Sequence, residues 1–194
     1  MHSDDSNLFH RINNKRNLGS VIWITGLSGA GKSVLALAVV KRLRAVDDKI
    51  FLLDGDELRE VFGAKTINDK NFSRDKRISL AMQYARLCDV LARQGFTVVI
   101  ATISLFKEVH AWNRTNLYGY FEVYLKVPLE ELRRRDAKGI YRRFDAGELK
   151  NVAGLDLPVD EPKLADLVLE FTPGRSLKES VNELLDRLNS TPLI

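Results

Sequence analysis

Eight residues define the first chemistry this chain could perform. Gly26-Leu27-Ser28-Gly29-Ala30-Gly31-Lys32-Ser33 fits G-x-x-x-x-G-K-[ST] at every fixed position. Glycines let the backbone curl until successive N–H groups face one centre, and the helix that follows turns its positive end toward the same centre. A lysine at position 32 can reach the β- and γ-phosphates of a nucleotide, and the Ser33 hydroxyl can ligate Mg²⁺. A random chain of this length would match the pattern roughly once in a hundred tries. The match gains weight from its place between an apolar β-branched run, VIWIT (21–25), and a helix-like pattern, VLALAVVKRLRAV. The dinucleotide pattern G-x-G-x-x-G does not occur, which disfavours hydride transfer.

A second constellation is Asp54-Gly55-Asp56, with Arg59 one helical turn on. Asp-Gly alone is a common turn. Here it closes the apolar run IFLLD (50–54), and ligands of a parallel sheet gather at the carboxyl ends of strands. Both acids should therefore lie near the phosphate loop. One could hold a metal's water shell while the other accepts a proton from an attacking hydroxyl. Arg59 could hold an anionic acceptor. Asp56 also reads as the N-cap of a short helix over 56–62.

The elements needed to position these groups alternate along the chain. Buried strands are expected at 21–25, 50–54, 96–103, 120–127 and 166–171. Helices are expected after the phosphate loop, at 56–62, 74–94 and 105–118, after Pro128, and after the capping box formed by Ser176 and Glu179. Residues 63–73 read as a loop, and residues 1–18 as a mobile N-terminal arm. Residues 137–163 are long for a loop in a compact domain, so a functional lid at about 137–156 is expected. Alternating strands and helices imply an α/β fold: a three-layer P-loop kinase with a central parallel five-stranded sheet flanked by helices, plus a lid. One domain, 19–194, is expected.

Composition limits the alternatives. With 45% hydrophobic and 29% charged residues, the chain is neither disordered nor collagen-like. Its 30 Lys+Arg and 26 Asp+Glu leave only +4, and the basic residues mostly alternate with acids. No basic stripe with interleaved aromatics predicts nucleic-acid binding. No apolar run is long enough for a membrane span, and the acidic start does not resemble a secretory signal. The single cysteine, Cys88, fits a reducing, cytoplasmic setting and falls at helical spacing with core residues. His2, His10 and His110 are scattered and suggest no zinc site.

The chain as a whole resembles the adenylylsulfate (adenosine 5′-phosphosulfate, APS) kinase family over about residues 20–172. The resemblance is carried by GLSGAGKS, LDGDELR, FSRDKR, Ile103-Ser104, RDAKGIY (135–141), AGELKNVAGLD (146–156) and Pro158, in that order. It implies an ATP-dependent transfer of the γ-phosphate to the 3′-hydroxyl of adenylylsulfate or a similar 5′-modified nucleotide, with ATP and Mg²⁺ as cofactors. It further implies sulfate assimilation as the setting, a small-molecule nucleotide as the partner, and a homodimer.

Carried over residue by residue, the resemblance implies that Gly26 to Ser33 and Arg135 bind ATP, and that Ser33 and Asp54 hold Mg²⁺, partly through water. Asp56, Lys32 and Asp54 would be the catalytic groups. Asp56, Arg59, Phe72, Arg77, Ser104 and Lys138 would meet the acceptor, with Phe72 stacked on its base. The chain also departs from the family. Leu80 stands where Asn is usual, Val152-Ala153 where Phe-Thr is usual, Leu105-Phe106-Lys107 where Pro-Tyr-Arg is usual, and Glu57 where Asn is usual. These departures suggest a changed acceptor. One branch resembling this family phosphorylates cytidine diphosphoramidate for capsule synthesis, and a P-loop kinase for another small metabolite is a further alternative.

Overall fold

A computed structural model describes residues 18–63 and 73–191. The expected N-terminal arm, apart from residue 18, lies outside the described residues, as does Phe72. In chain order the elements are β1 (Val21–Gly26), α1 (Lys32–Leu43), β2 (Ile50–Asp54), α2 (Gly55–Val61), α3 (Arg74–Arg93), β3 (Thr97–Thr102), α4 (Lys107–Asn116), β4 (Tyr120–Lys126), α5 (Leu129–Arg135), α6 (Ile140–Asp145), β5 (Leu167–Glu170) and α7 (Leu177–Ser190). The five strands form one parallel sheet in the order β2-β3-β1-β4-β5.

Parallel strands need crossovers, and the crossovers here are helices that cover both faces. Strand alternation divides β1 between two cores. Ile22 and Ile24 face the helices α1 and α7, together with Val39, Leu43 and Leu184. Val21 and Trp23 face α3 and α4, together with Tyr84, Cys88 and Val109. The result is three layers, helix–sheet–helix, with Cys88 fully buried as its spacing suggested. Burial pushes its thiol well above the ordinary range, which makes it inert.

Two expectations about the frame need correction. Strand β2 was expected to be buried on both faces, yet it is an edge strand with Phe51 40% exposed. Its apolar run reads as buried because Phe51 instead packs edge-on against Phe96, with ring centroids 4.9 Å apart. The 137–163 stretch is not wholly loop, since it contains α6. Asp136 supplies the missing start signal by accepting the amides of Tyr141 and Arg142 at 3.1 and 3.0 Å.

His110 is a structural residue. Its Nδ1 lies 2.6 Å from Oε1 of Glu122, a carboxylate buried in β4 that also accepts the Tyr120 hydroxyl at 2.9 Å. A polar group so far from water requires such partners. The expected capping box is present at α7: Ser176 Oγ accepts the Glu179 amide at 3.2 Å, and the Glu179 carboxylate accepts the Ser176 amide at 2.7 Å. Ser176→Ala should therefore cost about 1 kcal/mol. For a domain of this size that lowers Tm by roughly 2–4 °C, readable by calorimetry. Among the described residues no helix is long and apolar enough to cross a membrane.

Candidate active site

Strand β1 ends at the carboxyl edge of the sheet and runs directly into the phosphate loop. The loop turns back on itself through Ala30 N–H to the Leu27 carbonyl, 3.2 Å, and through Gly29 and Gly31 at φ 79° and 98°. A side chain is strained in that left-handed region, which is why glycine stands there. Helix α1 then starts with no capping side chain and no acid in its first turn. Its free amides and positive end are left facing outward, as an anion site requires.

Lys32 donates from Nζ to the Leu27 carbonyl at 2.8 Å. Burial, and after it the nearby charges of Lys138 and Arg59, pull its pKa down from 10.5 to about 7, with Asp54 opposing. An ammonium held so far below its ordinary value is short of negative charge.

Asp54 at the end of β2 and Asp56 in the first turn of α2 line the same cavity as this loop. Ser33 Oγ donates to Asp54 Oδ2 at 2.5 Å, which joins the start of α1 to the end of β2. Asp54 Oδ1 accepts the Asp56 amide at 2.8 Å, so Asp54 is the N-cap of α2. The expectation that Asp56 caps this helix is wrong. The last extended residue before the helix is Asp54, two residues before the expected cap, and Asp56 falls in the first turn. Its carboxylate is thereby available to side chains, and it pairs with both Arg59 and Lys138. A cavity of about 450 Å³ is lined by the phosphate loop together with Asp54, Asp56, Arg59, Thr102, Ile103 and Lys138.

Of the acceptor-side candidates, Asp56, Arg59 and Lys138 line that cavity, and Arg77 does not. Arg77 lies on α3 and donates to the Asn151 carbonyl at 2.7 Å. Burial and the neighbouring Arg59 lower its pKa to about 10. Ser104 does not line the cavity. It is buried at φ 24°, with Oγ 2.8 Å from Thr102 Oγ1, and it holds the turn that presents Thr102 and Ile103. Thr25 steadies the same turn by donating to the Ile103 carbonyl at 2.5 Å. On the other side of α1 a second cleft of about 250 Å³ is lined by Gly31, Val34, Leu125, Arg135 and Phe171. Arg135 lies over the Phe171 ring at 5.0 Å and is held by Glu131 at 2.7 Å.

Sequence reasoning missed the contacts that hold the lid on the loop. Tyr141 Oη donates to the Ser28 carbonyl at 2.8 Å. Gly154 sits against Leu27 so closely that a Cβ would come within 2.9 Å of it. Tyr141 belongs to the RDAKGIY segment, but nothing in that segment says which way a tyrosine on an unrecognised helix would point.

A phosphate loop at the end of a central strand, two carboxylates where a strand one removed passes into a helix, and a cationic lid define a P-loop phosphotransferase. The comparisons with known proteins narrow this class. The sequence model of the family described as adenylylsulphate kinase matches residues 18–170, and the chain belongs to that family. Adenylyl-sulfate kinase of Paraburkholderia xenovorans is 38% identical, over 88% of this chain and 93% of its own. Cytidine diphosphoramidate kinase of Campylobacter jejuni is 36% identical, over 89% of this chain and 98% of its own. The solved APS kinase CysC of Mycobacterium tuberculosis, in complex with AMPPNP and APS, superposes with a TM-score of 0.79 at 35% identity, covering 89% of this chain and 99% of that one. The chain is thus an ATP-using kinase of the APS kinase type.

Proposed function

We propose that this enzyme transfers the γ-phosphoryl group of ATP to the ribose 3′-hydroxyl of adenylylsulfate or a similarly 5′-modified nucleotide. The observation that carries the reading is the Ser33–Asp54 contact, which sets the carboxylate at the end of β2 against the phosphate loop. The amides of 26–33 and Lys32 hold the donor's phosphates, and the Arg135 cleft takes its base. Ser33 and Asp54 are hard oxygen donors that suit Mg²⁺, and they would hold it partly through water. When bound, that ion supplies positive charge to the β- and γ-oxygens.

Asp56 orients the acceptor hydroxyl and takes its proton. The O3′–Pγ bond forms as the bond from Pγ to the bridging oxygen breaks, and ADP leaves. Such transfers depend chiefly on positioning and on charge stabilisation. Arg59 and Arg77 hold the anionic 5′ side of the acceptor, Phe72 stacks on its base, Ser104 shapes the wall beside it, and Lys138 closes over the transferred phosphate. With the lid closed, water is kept from the γ-phosphate. A cytoplasmic setting and a homodimer complete the reading; sedimentation of the full chain tests the latter.

A second reading has cytidine diphosphoramidate as the acceptor. Favouring it are the identity with the Campylobacter kinase and the residues at the acceptor side. Leu80, Leu105, Phe106, Val152 and Ala153 are all buried, so neither an amide at 80 nor a ring at 152 is offered to a base. A site built without those groups selects a different base edge. A coupled ATP-consumption assay with each nucleotide in turn decides between the two acceptors.

Lys32 also makes nucleotide binding pH-dependent. Its pKa of about 7 in the free protein rises when a triphosphate supplies the missing negative charge. Binding at about pH 8 should therefore take up a proton, and affinity should fall as pH rises above about 7. Calorimetry at that pH in two buffers of unlike ionisation enthalpy should give different apparent enthalpies. Equal enthalpies would contradict the assignment.

A further inference from the structure

One carboxylate holds the lid's final turn. Asp156 accepts the Asn151 amide on Oδ2 at 2.8 Å and the Val152 amide on Oδ1 at 2.6 Å. Both oxygens are thus used on adjacent backbone donors. Asn151 is held at φ 58°, a conformation that asparagine tolerates better than most residues but does not choose unaided. Val152 is buried with Ile140 and Leu149, which anchors the turn to the body of the lid. The Leu157 carbonyl accepts the Gly154 amide at 2.9 Å, which closes the turn on itself.

The consequence lies on a different element. With Asn151 in this conformation its carbonyl accepts from the Arg77 guanidinium on α3 at 2.7 Å. Arg77 stands near Arg59, and two like charges in a half-buried site separate unless something holds them. Asp156 is the carboxylate whose charge opposes that repulsion at Arg77.

We propose that Asp156 is a positioning residue of the acceptor site: it fixes the Asn151 carbonyl that holds the Arg77 guanidinium beside Arg59. The inference rests on the reading of Arg77 as an acceptor ligand, and it adds that the lid's carboxyl-terminal turn sets the affinity of this site. The lid then does more than exclude water. Acceptor binding and lid order are coupled through one carbonyl.

The test uses Asp156→Asn in the full chain. The amide keeps the size of the side chain but loses the charge. It can serve only one of the two backbone donors and turns an NH₂ toward the other. The expected result is an acceptor KM raised about tenfold, the effect of losing one well-placed charge-assisted contact, with the KM for ATP unchanged within about twofold. Because the effect passes through Arg77, Asp156→Asn should change acceptor KM less than about twofold in an Arg77→Ala background. A residue that merely stabilised the fold would act equally in both backgrounds and on both substrates. That outcome, or an unchanged acceptor KM, overturns the proposal.

Hydrogen exchange across 149–157 provides a readout that needs no acceptor. Faster exchange there in Asp156→Asn, with the rest of the domain unchanged, supports the role of the carboxylate. Unchanged exchange removes it whatever the acceptor proves to be. Wild-type enzyme that turns over no nucleotide acceptor removes the role of Arg77 and the functional reading together, while leaving the exchange result standing.

Discussion

Lys32→Ala is expected to reduce kcat by about a thousandfold or more, the scale of losing a preorganised charge at a developing oxyanion. Lys32 is the cation whose Nζ is fixed on the Leu27 carbonyl at the floor of the phosphate loop. During transfer, negative charge shifts over the γ-phosphoryl oxygens and the leaving bridge oxygen, and a fixed ammonium in a partly dry site stabilises it without reorganising. The variant should fold. An ammonium whose pKa has been drawn down to about 7 by burial is one that the fold keeps at a cost, so removing it does not lower stability. Equal Tm with turnover lost separates catalysis from folding. Lys32→Ala retaining a tenth of wild-type kcat would contradict the placement of the donor.

The second large effect is at Asp56. Asp56→Asn preserves the shape and a hydrogen-bond partner for Lys138 but cannot take a proton at neutral pH. We expect kcat to fall by about 10²–10⁴-fold, the usual worth of a positioned base. ATP affinity should change little, because the donor is held by the loop and by Lys32. The paired cations Arg59 and Lys138 keep the carboxylate oriented toward the cavity in the free enzyme. That orientation explains why Asp56, rather than Asp54, is the candidate base. Asp54 is tied to the backbone amide of Asp56 and to the Ser33 hydroxyl, whereas both partners of Asp56 are long cationic side chains. Single-turnover rates with pre-bound ATP check the prediction, and a fully active Asp56→Asn enzyme would refute the role.

Much of this was legible before any coordinates. The strand–glycine loop–helix order predicted the phosphate loop's place and shape, because glycine best supports the loop's left-handed turns and a helix start leaves amides unpaired. The rule that ligands collect at strand carboxyl ends brought Asp54 and Asp56 to the same place. The capping box at Ser176 and the burial of Cys88 were equally local signals. What escaped was tertiary. The edge position of β2 follows from strand order, which no single strand encodes. The cap is Asp54 rather than Asp56 because β2, paired with β3 as far as Asp54 opposite Ala101, passes into helix at Gly55 with no intervening turn. Helix α6 was hidden because its start is capped by a side chain four residues upstream. The grips of Tyr141 on Ser28 and of Asn151 on Arg77 join segments 113 and 74 residues apart, and a short loop in sequence gives no hint of either.

The departures at 80, 105–107 and 152–153 took their meaning from the resemblance, and burial sharpened it. Leu80, Leu105, Phe106, Val152 and Ala153 carry apolar side chains turned into packing, whereas Lys107 is exposed. The phosphate loop, Asp54 and Asp56 match the family's pattern, and positions 80, 105–107 and 152–153 depart from it.

The most direct measurement is ADP release by the full-length enzyme with ATP, Mg²⁺ and a single added acceptor, either adenylylsulfate or cytidine diphosphoramidate, with the product's phosphate position read by ³¹P NMR. The account predicts acceptor-dependent ADP release with at least one of the two, a new phosphate on the ribose 3′-oxygen, and no release from Lys32→Ala. ADP formation indifferent to both nucleotides, alongside phosphorylation of a sugar or an acid, would contradict it.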